Sequence, residues 1–424
     1  VRADYMRQFE EYLAEEGLPI KTQKLDFVMP VIPNLGTKKL KVIKVKSGID
    51  FKQQGEKPML ELPDDQLKRK PVTMNWYPHV QAISSLSVDD IAANLNQDRF
   101  TEQHIAFLNL DQIYFALQEF KADRRWYDLN ISRENLRDLL LDGSWYQLFI
   151  PVDDMAFMNF EQVFRWQEIA IALLKKYMDR FYKYKKAEWE SNHLEYRELT
   201  LDDPNFISEY HILVEQSRTE IVIILEKIKQ AVESGNFQLI EYQRMSAIMF
   251  ERHLYQPLLY LGPGMDIEIK PVALNEGEKI FVEDLKIFYD KNPAIFEEKE
   301  LYLLRNRSRG SGIGFFEAGN FYPDFILWVV KDDLQHVAFV DPHGMGREGI
   351  EDRKVQFYKT IKGIEEELGD PKVILDSFII SPTPLAEIPQ QTREMNREEW
   401  EARNVLFQRD DPNGYIAKLI GALT

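Results

Sequence analysis

The chain contains no cysteine. That excludes disulfides, zinc thiolate sites and thiol nucleophiles, and it fits a reducing compartment, so a cytoplasmic location is expected. The seven histidines form no metal-spaced pair. There is no G-x-x-x-x-G-K-[ST], so the chain has no P-loop of its own, and no G-x-S-x-G nucleophile elbow. No apolar run approaches the roughly 18 residues of a membrane span and no signal peptide is visible, so no membrane partner is expected. Positive charge is in deficit, with 53 Lys and Arg against 70 Asp and Glu and a formal net charge of −17. A nucleic-acid coat over the whole surface is thereby excluded, and any such contact must come from local basic patches. No internal repeat or low-complexity segment stands out.

What remains is ample for two or three domains: 424 residues, 44% of them hydrophobic. Residues 1–17 carry Tyr5, Phe9, Tyr12 and Leu13 at helical spacing before Gly17. The opening Val1 looks like the middle of a helix, so the chain is expected to be the C-terminal part of a longer protein. Composition divides it into a helix plus β-rich connector (1–75), a helical domain (76–262), an α/β domain (263–395) and a helical tail (396–424). In the connector, KLDFVMPVI and KLKVIKVK read as short strands, with Lys38, Lys39, Lys41, Lys44 and Lys46 as edge protection. Apolar stripes predict helices over 107–120, 132–141, 155–189, 211–232 and 238–255. The segment KKYMDRFYKYKKAEW interleaves bases and aromatics, as a nucleic-acid grip would. A helix with one packed and one solvated face has the same pattern, and that reading is preferred.

The stretch that speaks of chemistry is FYPDFILWVVKDDLQHVAFVDPHG, residues 321–344. Two continuously apolar strands, 325–330 and 336–340, flank a polar turn, and strands apolar on both faces lie in the middle of a sheet. A turn at Asp332 and Asp333 pairs 330 with 335, 329 with 336 and finally 324 with 341. Asp324 and Asp341 would then share one sheet end, with Cβ atoms roughly 4.5 to 5.5 Å apart. Two close carboxylates suit a divalent cation bound through oxygen. Arg305, Arg307 and Arg309 alternate through a Gly/Ser-rich stretch just before the hairpin and are suited to phosphate contacts.

A strand-like MDIEIKPVAL, a helix over 277–289, the hairpin, a helix over 351–368 and the strand KVILDSFIIS give a β–α–β–β–α–β order. With Pro323-Asp324 opening one strand and Asp341-x-His343 closing the next, this resembles the PD-(D/E)XK nuclease superfamily. FVEDLKIFYDKNP, LYLLRNRS and GNFYPDFILWVV look more narrowly like the C-terminal nuclease part of type III restriction enzyme helicase-nuclease subunits and related phage-defence proteins. VRADYMRQFEEYLAEEGL looks like sequence that follows the motor domains in such subunits.

The resemblance implies an α+β chain, a mostly helical N-terminal region followed by a restriction-endonuclease-like α/β nuclease domain. It implies a DNA endonuclease dependent on Mg²⁺ or Mn²⁺, with Asp324 and Asp341 on the metal and a third carboxylate from the preceding helix. Glu278 is the choice, because Phe281, Val282 and Leu285 fall behind it at i+3, i+4 and i+7; Glu283 and Glu317 are alternatives. The family's lysine, two residues beyond the second acid, is here His343. A histidine can act as general base or orient a water, and Lys354 or Arg353 can replace the lysine from the next helix. ATP would act only in motor domains outside this chain, and the partners implied are DNA and a methyltransferase or other defence-complex subunit. The departure at His343 motivates a rival expectation, a catalytically degenerate nuclease fold that scaffolds DNA or a partner.

Overall fold

Two compact units make up the chain, one within residues 45–195 and one that joins residues 24–44 to those from 196 onward, so the second unit's sequence is interrupted by the first's. The structure, a computed structural model, describes residues 24–69, 71–77, 95–215, 218–235, 240–242, 244–265, 267–307, 322–345, 352–388 and 395–424. The expected helix over 1–17 lies outside these residues.

The smaller unit is built on α1 (Glu102–Phe107), α2 (Leu110–Asp123), α3 (Arg133–Leu141) and α4 (Phe160–Ser191). The stripes predicted over 107–120, 132–141 and 155–189 thus fold as helices. At 32 residues α4 is long, and burial sustains it: Trp166, Ile169, Ala170, Leu173, Leu174, Tyr177, Met178 and Phe181 recur three and four apart and are all buried. Asn159 starts the helix by accepting from the Glu161 N–H at 2.9 Å. In its basic, aromatic second half the rings face inward. The Tyr177 hydroxyl donates to Glu61 O at 2.7 Å and Tyr182 to Asp128 at 3.0 Å, while Lys183, Lys185 and Lys186 pair with Asp179, Glu188 and Glu190. The packed-and-solvated reading of this segment holds, since no buried ring is free to stack on a base.

In the larger unit β1 (Lys24–Pro30), β2 (Glu209–Glu215) and β3 (Ile267–Lys270) form an antiparallel sheet in the order β1-β2-β3, and α5 (Thr219–Ser234) packs on β1. The helix expected over 211–232 therefore begins only at 219. Tyr210, Ile212 and Val214 are buried in alternation with more exposed neighbours, a period of two that wins over the helical pattern. Within 238–255, residues 240–242 and 245–248 are antiparallel strands rather than helix. Short apolar runs do not distinguish the two states by periodicity, and 245–248 is buried at every position and pairs with a strand on each side. The smaller unit also holds a sheet of three short strands, Val72–Asn75, Tyr146–Phe149 and Gln97–Asp98, so strands occur in both units and the whole is a mixed α+β protein. Among the described residues no helix is long and apolar enough to cross a membrane.

The second sheet positions the acids. Its strands, β4 (Glu300–Arg305), β5 (Phe325–Lys331), β6 (Leu334–Pro342), β7 (Val373–Ser381) and β8 (Val405–Phe407), lie side by side in sequence order. β4, β5 and β6 are antiparallel; β6, β7 and β8 are parallel. Before the sheet comes α6 (Glu276–Lys291); α7 (Arg353–Leu368) links β6 to β7 and α8 (Tyr415–Leu423) closes the chain. MDIEIKPVAL, expected as the first strand of this domain, supplies β3 of the other sheet instead. Its Glu268 and Lys270 are exposed, whereas Leu301 to Leu304 of β4 are buried and suit a sheet covered on both faces. Phe325, Ile326, Leu327 and Trp328 are each 0% exposed, and the Trp328 indole donates to Lys41 O at 2.8 Å. The connector lysines Lys38, Lys41 and Lys44 pair with Glu300, Asp370 and Asp203 of the same unit.

Candidate acidic site on a buried hairpin

The β5–β6 register runs Val330 with Gln335, Val329 with His336 and on to Phe325 with Val340, as the sequence predicts. Asp332 turns the chain at φ 53°, a left-handed conformation that aspartate tolerates better than most residues. The next step of the ladder sets Asp324 beside Asp341, and their carboxyl groups share a hydrogen bond. Burial first, then the charges of Asp341 and Glu278, push the Asp324 pKa well above the carboxylate range. Lys354 acts in the opposite sense from the first turn of α7: its Nζ forms an ion pair with Asp341 Oδ2, the side chains being 14% and 4% exposed. Asp352 caps that helix, accepting from the Lys354 N–H at 2.8 Å.

Glu278 comes from α6, whose buried stripe Glu278, Phe281, Val282 and Leu285 matches the expected spacing. The Phe281 and Phe325 rings meet at 5.3 Å, seating the helix on β5. Glu278 Oε2 closes a capping box, accepting from the Asn275 N–H at 2.8 Å while Asn275 Oδ1 accepts from the Glu278 N–H at 2.9 Å. The same oxygen accepts from Arg305 Nη2 at 3.0 Å. Glu283, the first alternative, faces Lys279 at 3.6 Å along the helix. Glu317 and Arg309 lie outside the described residues.

Arg305 is not in a solvated loop, where the sequence pattern put it. It ends β4 opposite Phe325, and its guanidinium donates to Val272 O, Ala273 O and Glu278. Burial works against its charge, but Glu278, Tyr255, Tyr210 and Asp324 outweigh burial and raise its pKa above the usual value. Its backbone N–H donates to His253 Nε2 at 3.0 Å. Nε2 is then unprotonated, so Nδ1 carries the hydrogen and donates to Tyr255 O. Burial, aided by the Arg305 charge, lowers the His253 pKa to about 3 and keeps the ring neutral. Arg307 is exposed; its N–H donates to Asn205 Oδ1 at 2.7 Å and Nη1 to Pro204 O at 3.1 Å. His343, half-buried beyond the end of β6, donates its N–H to Ile380 O at 3.0 Å. Arg353 is the first residue of α7.

No family model, curated protein or solved structure matches the chain. The site must be judged on its own residues. Together they give two hydrogen-bonded carboxyls, a third acid within their field, a lysine on one of them and an arginine on the other side. Among the described residues no group of three or more His, Asp or Glu side chains is arranged to hold a metal ion. Two supporting residues escaped the sequence reading. Asn306 fastens the Pro323-Asp324 dipeptide, its N–H donating to Asp324 O and Nδ2 to Pro323 O, both at 2.8 Å. His253 holds the end of β4 from 52 positions away. For Asn306 the signal was its place between two arginines at a strand end; for His253 the sequence held none.

Proposed function

We propose that the chain is the DNA-cleaving portion of an ATP-dependent helicase-nuclease of the type III restriction or phage-defence kind, hydrolysing phosphodiesters with Mg²⁺ or Mn²⁺. The observation that carries this reading is the pair of buried acids that the β5–β6 ladder sets side by side, Asp324 and Asp341, with Lys354 held against Asp341. Two carboxyls this close repel once both are ionised, and a divalent cation would relieve that repulsion through the oxygen donors it favours. Asp324 and Asp341 fit that role. Glu278, whose Oε2 is committed to its cap and to Arg305, adds negative potential beside them. When bound, such a cation polarises the scissile phosphate and lowers the pKa of an attacking water.

The chain's own residues divide the remaining work. Lys354 supplies a fixed positive charge, preorganised in a partly dry site where it counts for more than in water, to stabilise charge developing on the phosphate. His343 is then relieved of the lysine's role and is placed at the strand end to orient water. Arg305 balances Glu278 instead of gripping DNA; Arg307, exposed on the same segment, remains suited to a backbone phosphate. DNA as substrate, a methyltransferase or other defence subunit as partner, ATP-driven motor domains and a cytoplasmic setting all rest on the resemblance. Supercoiled plasmid incubated with the chain and Mg²⁺ or Mn²⁺ tests the reading. Nicking that Asp341→Ala abolishes supports it; no nicking, or nicking that survives that change, refutes it.

A second reading has its own observation. Lys354 already neutralises Asp341, and Glu278 is engaged elsewhere, so the fold can stand as a scaffold for DNA or a partner without chemistry. In that case calorimetry detects no Mg²⁺ binding, while filter binding of DNA persists in Asp324→Ala.

A further inference from the structure

We propose that the smaller unit carries a docking face for a basic, amphipathic segment of a partner protein, formed by Phe107, Phe157, Phe160 and Phe164 and rimmed by Asp153, Glu161 and Glu168. It belongs to a different unit from the acidic hairpin and does not depend on the nuclease reading.

The four rings are 46%, 50%, 68% and 70% exposed, and Met158 between them is 75% exposed. They are not scattered. Phe107 and Phe157 stack at 4.8 Å with planes 11° apart, Phe157 meets Phe160 edge-on at 5.9 Å, and Phe164 follows Phe160 by one turn of α4. Contiguous apolar surface of this kind marks interaction sites, whereas single exposed rings need no explanation. Its floor is fixed: buried Trp166 contacts Phe107 at 6.4 Å and Phe157 at 6.3 Å, and its indole donates to Asp154 O at 2.8 Å. Gln162 Nε2 donates to Asp153 O at 2.7 Å. The face is thus preorganised, which lowers the ordering cost of binding.

Charge selects the occupant. Asp153, Glu161 and Glu168 are exposed, while Arg165 among them is taken up by Asp154 at 2.6 Å. The lysines of α4 begin at Lys175, beyond Glu168, so the helix separates an aromatic, acidic first half from a basic second half. A nucleic acid or an anionic bilayer would meet carboxylates here, and a second copy of the same face would set acid against acid. A helix with apolar anchors at i, i+3 and i+4 and Lys or Arg beside them satisfies both features.

The test uses the full 424-residue chain and two labelled synthetic amphipathic peptides with one apolar face in common, the polar face being all Lys in one and all Glu in the other. Fluorescence anisotropy should show saturable binding of the Lys peptide only. Phe160→Ser with Phe164→Ser should weaken it at least about tenfold without shifting Tm, since both rings face solvent. Asp153→Lys with Glu161→Lys should transfer preference to the Glu peptide. The proposal is overturned if the Lys peptide fails to bind, if both peptides bind alike, or if the Phe variants bind unchanged. A wild-type dimer that the Phe variants convert to monomer in sedimentation would give the face to a second copy and overturn it equally.

Discussion

Lys354, in the first turn of α7, holds the buried Asp341 carboxylate that closes β6. The residue two positions past Asp341, where the PD-(D/E)XK pattern places its lysine, is His343. On the proposed nuclease reading, a lysine arriving from the following helix would supply a positive charge beside the second acid by another route, because only the position of the ammonium matters to the field it creates.

Arg305 and Glu278 form a second buried pair, at 3.0 Å with side chains 14% and 6% exposed. Removing one partner of such a pair strands the other without compensation, which costs about 3 to 5 kcal/mol. Arg305→Met is expected to lose that much in urea or guanidinium unfolding. Glu278→Gln, which keeps an oxygen for the helix cap, should lose clearly less. Equal and small losses would show that the pair is solvated.

Asp324 gives a pH signature with a definite sign. Its folded pKa is raised, so the folded chain keeps a proton that the unfolded chain gives up above about pH 3.9. The stability this contributes is complete below that pH and is lost as pH rises toward the folded value, at up to about 1.4 kcal/mol per unit. Asp324→Asn removes the titration. Its Tm relative to wild type should therefore climb steadily between about pH 5 and about pH 8; a constant difference would mean that Asp324 ionises normally.

His253 behaves in the opposite way. Its pKa falls to about 3 on burial, so its contribution is present above the unfolded value of about 6.5 and is lost as pH drops. His253→Gln should be less stable at neutral pH by about 1 to 3 kcal/mol, through imperfect replacement of its bonds to Arg305 and Tyr255. Between about pH 6.5 and about pH 4 it should lose less stability than wild type does. Parallel losses in the two proteins would place the acid sensitivity elsewhere.

The hairpin could be read in the sequence because ILWVV and VAFV are apolar on both faces and the turn between them is short and polar, which leaves one register. The stripe behind Glu278 and the long α4 were legible for the same reason, a sustained period. Arg305 was not. Alternation with Arg307 and Arg309 looked like a loop, and only pairing of LYLLR with β5 turns Arg305 toward Glu278. Tertiary context likewise decided 209–215 and 245–248, where short apolar runs fit either state and sheet partners chose strand. Lys354 could be named from the sequence as a substitute on the next helix, but its ion pair with Asp341 depends on where α7 packs, which no local spacing encodes.

The most direct test of the account is the single-turnover nicking of supercoiled plasmid in Mg²⁺ by wild type, Lys354→Met and His343→Ala, each confirmed folded by circular dichroism. The account predicts Mg²⁺-dependent nicking by wild type, a loss of about 100-fold or more in Lys354→Met, and a rate within about tenfold of wild type in His343→Ala. An inactive wild type, or a Lys354→Met chain that nicks as fast as wild type, would contradict it.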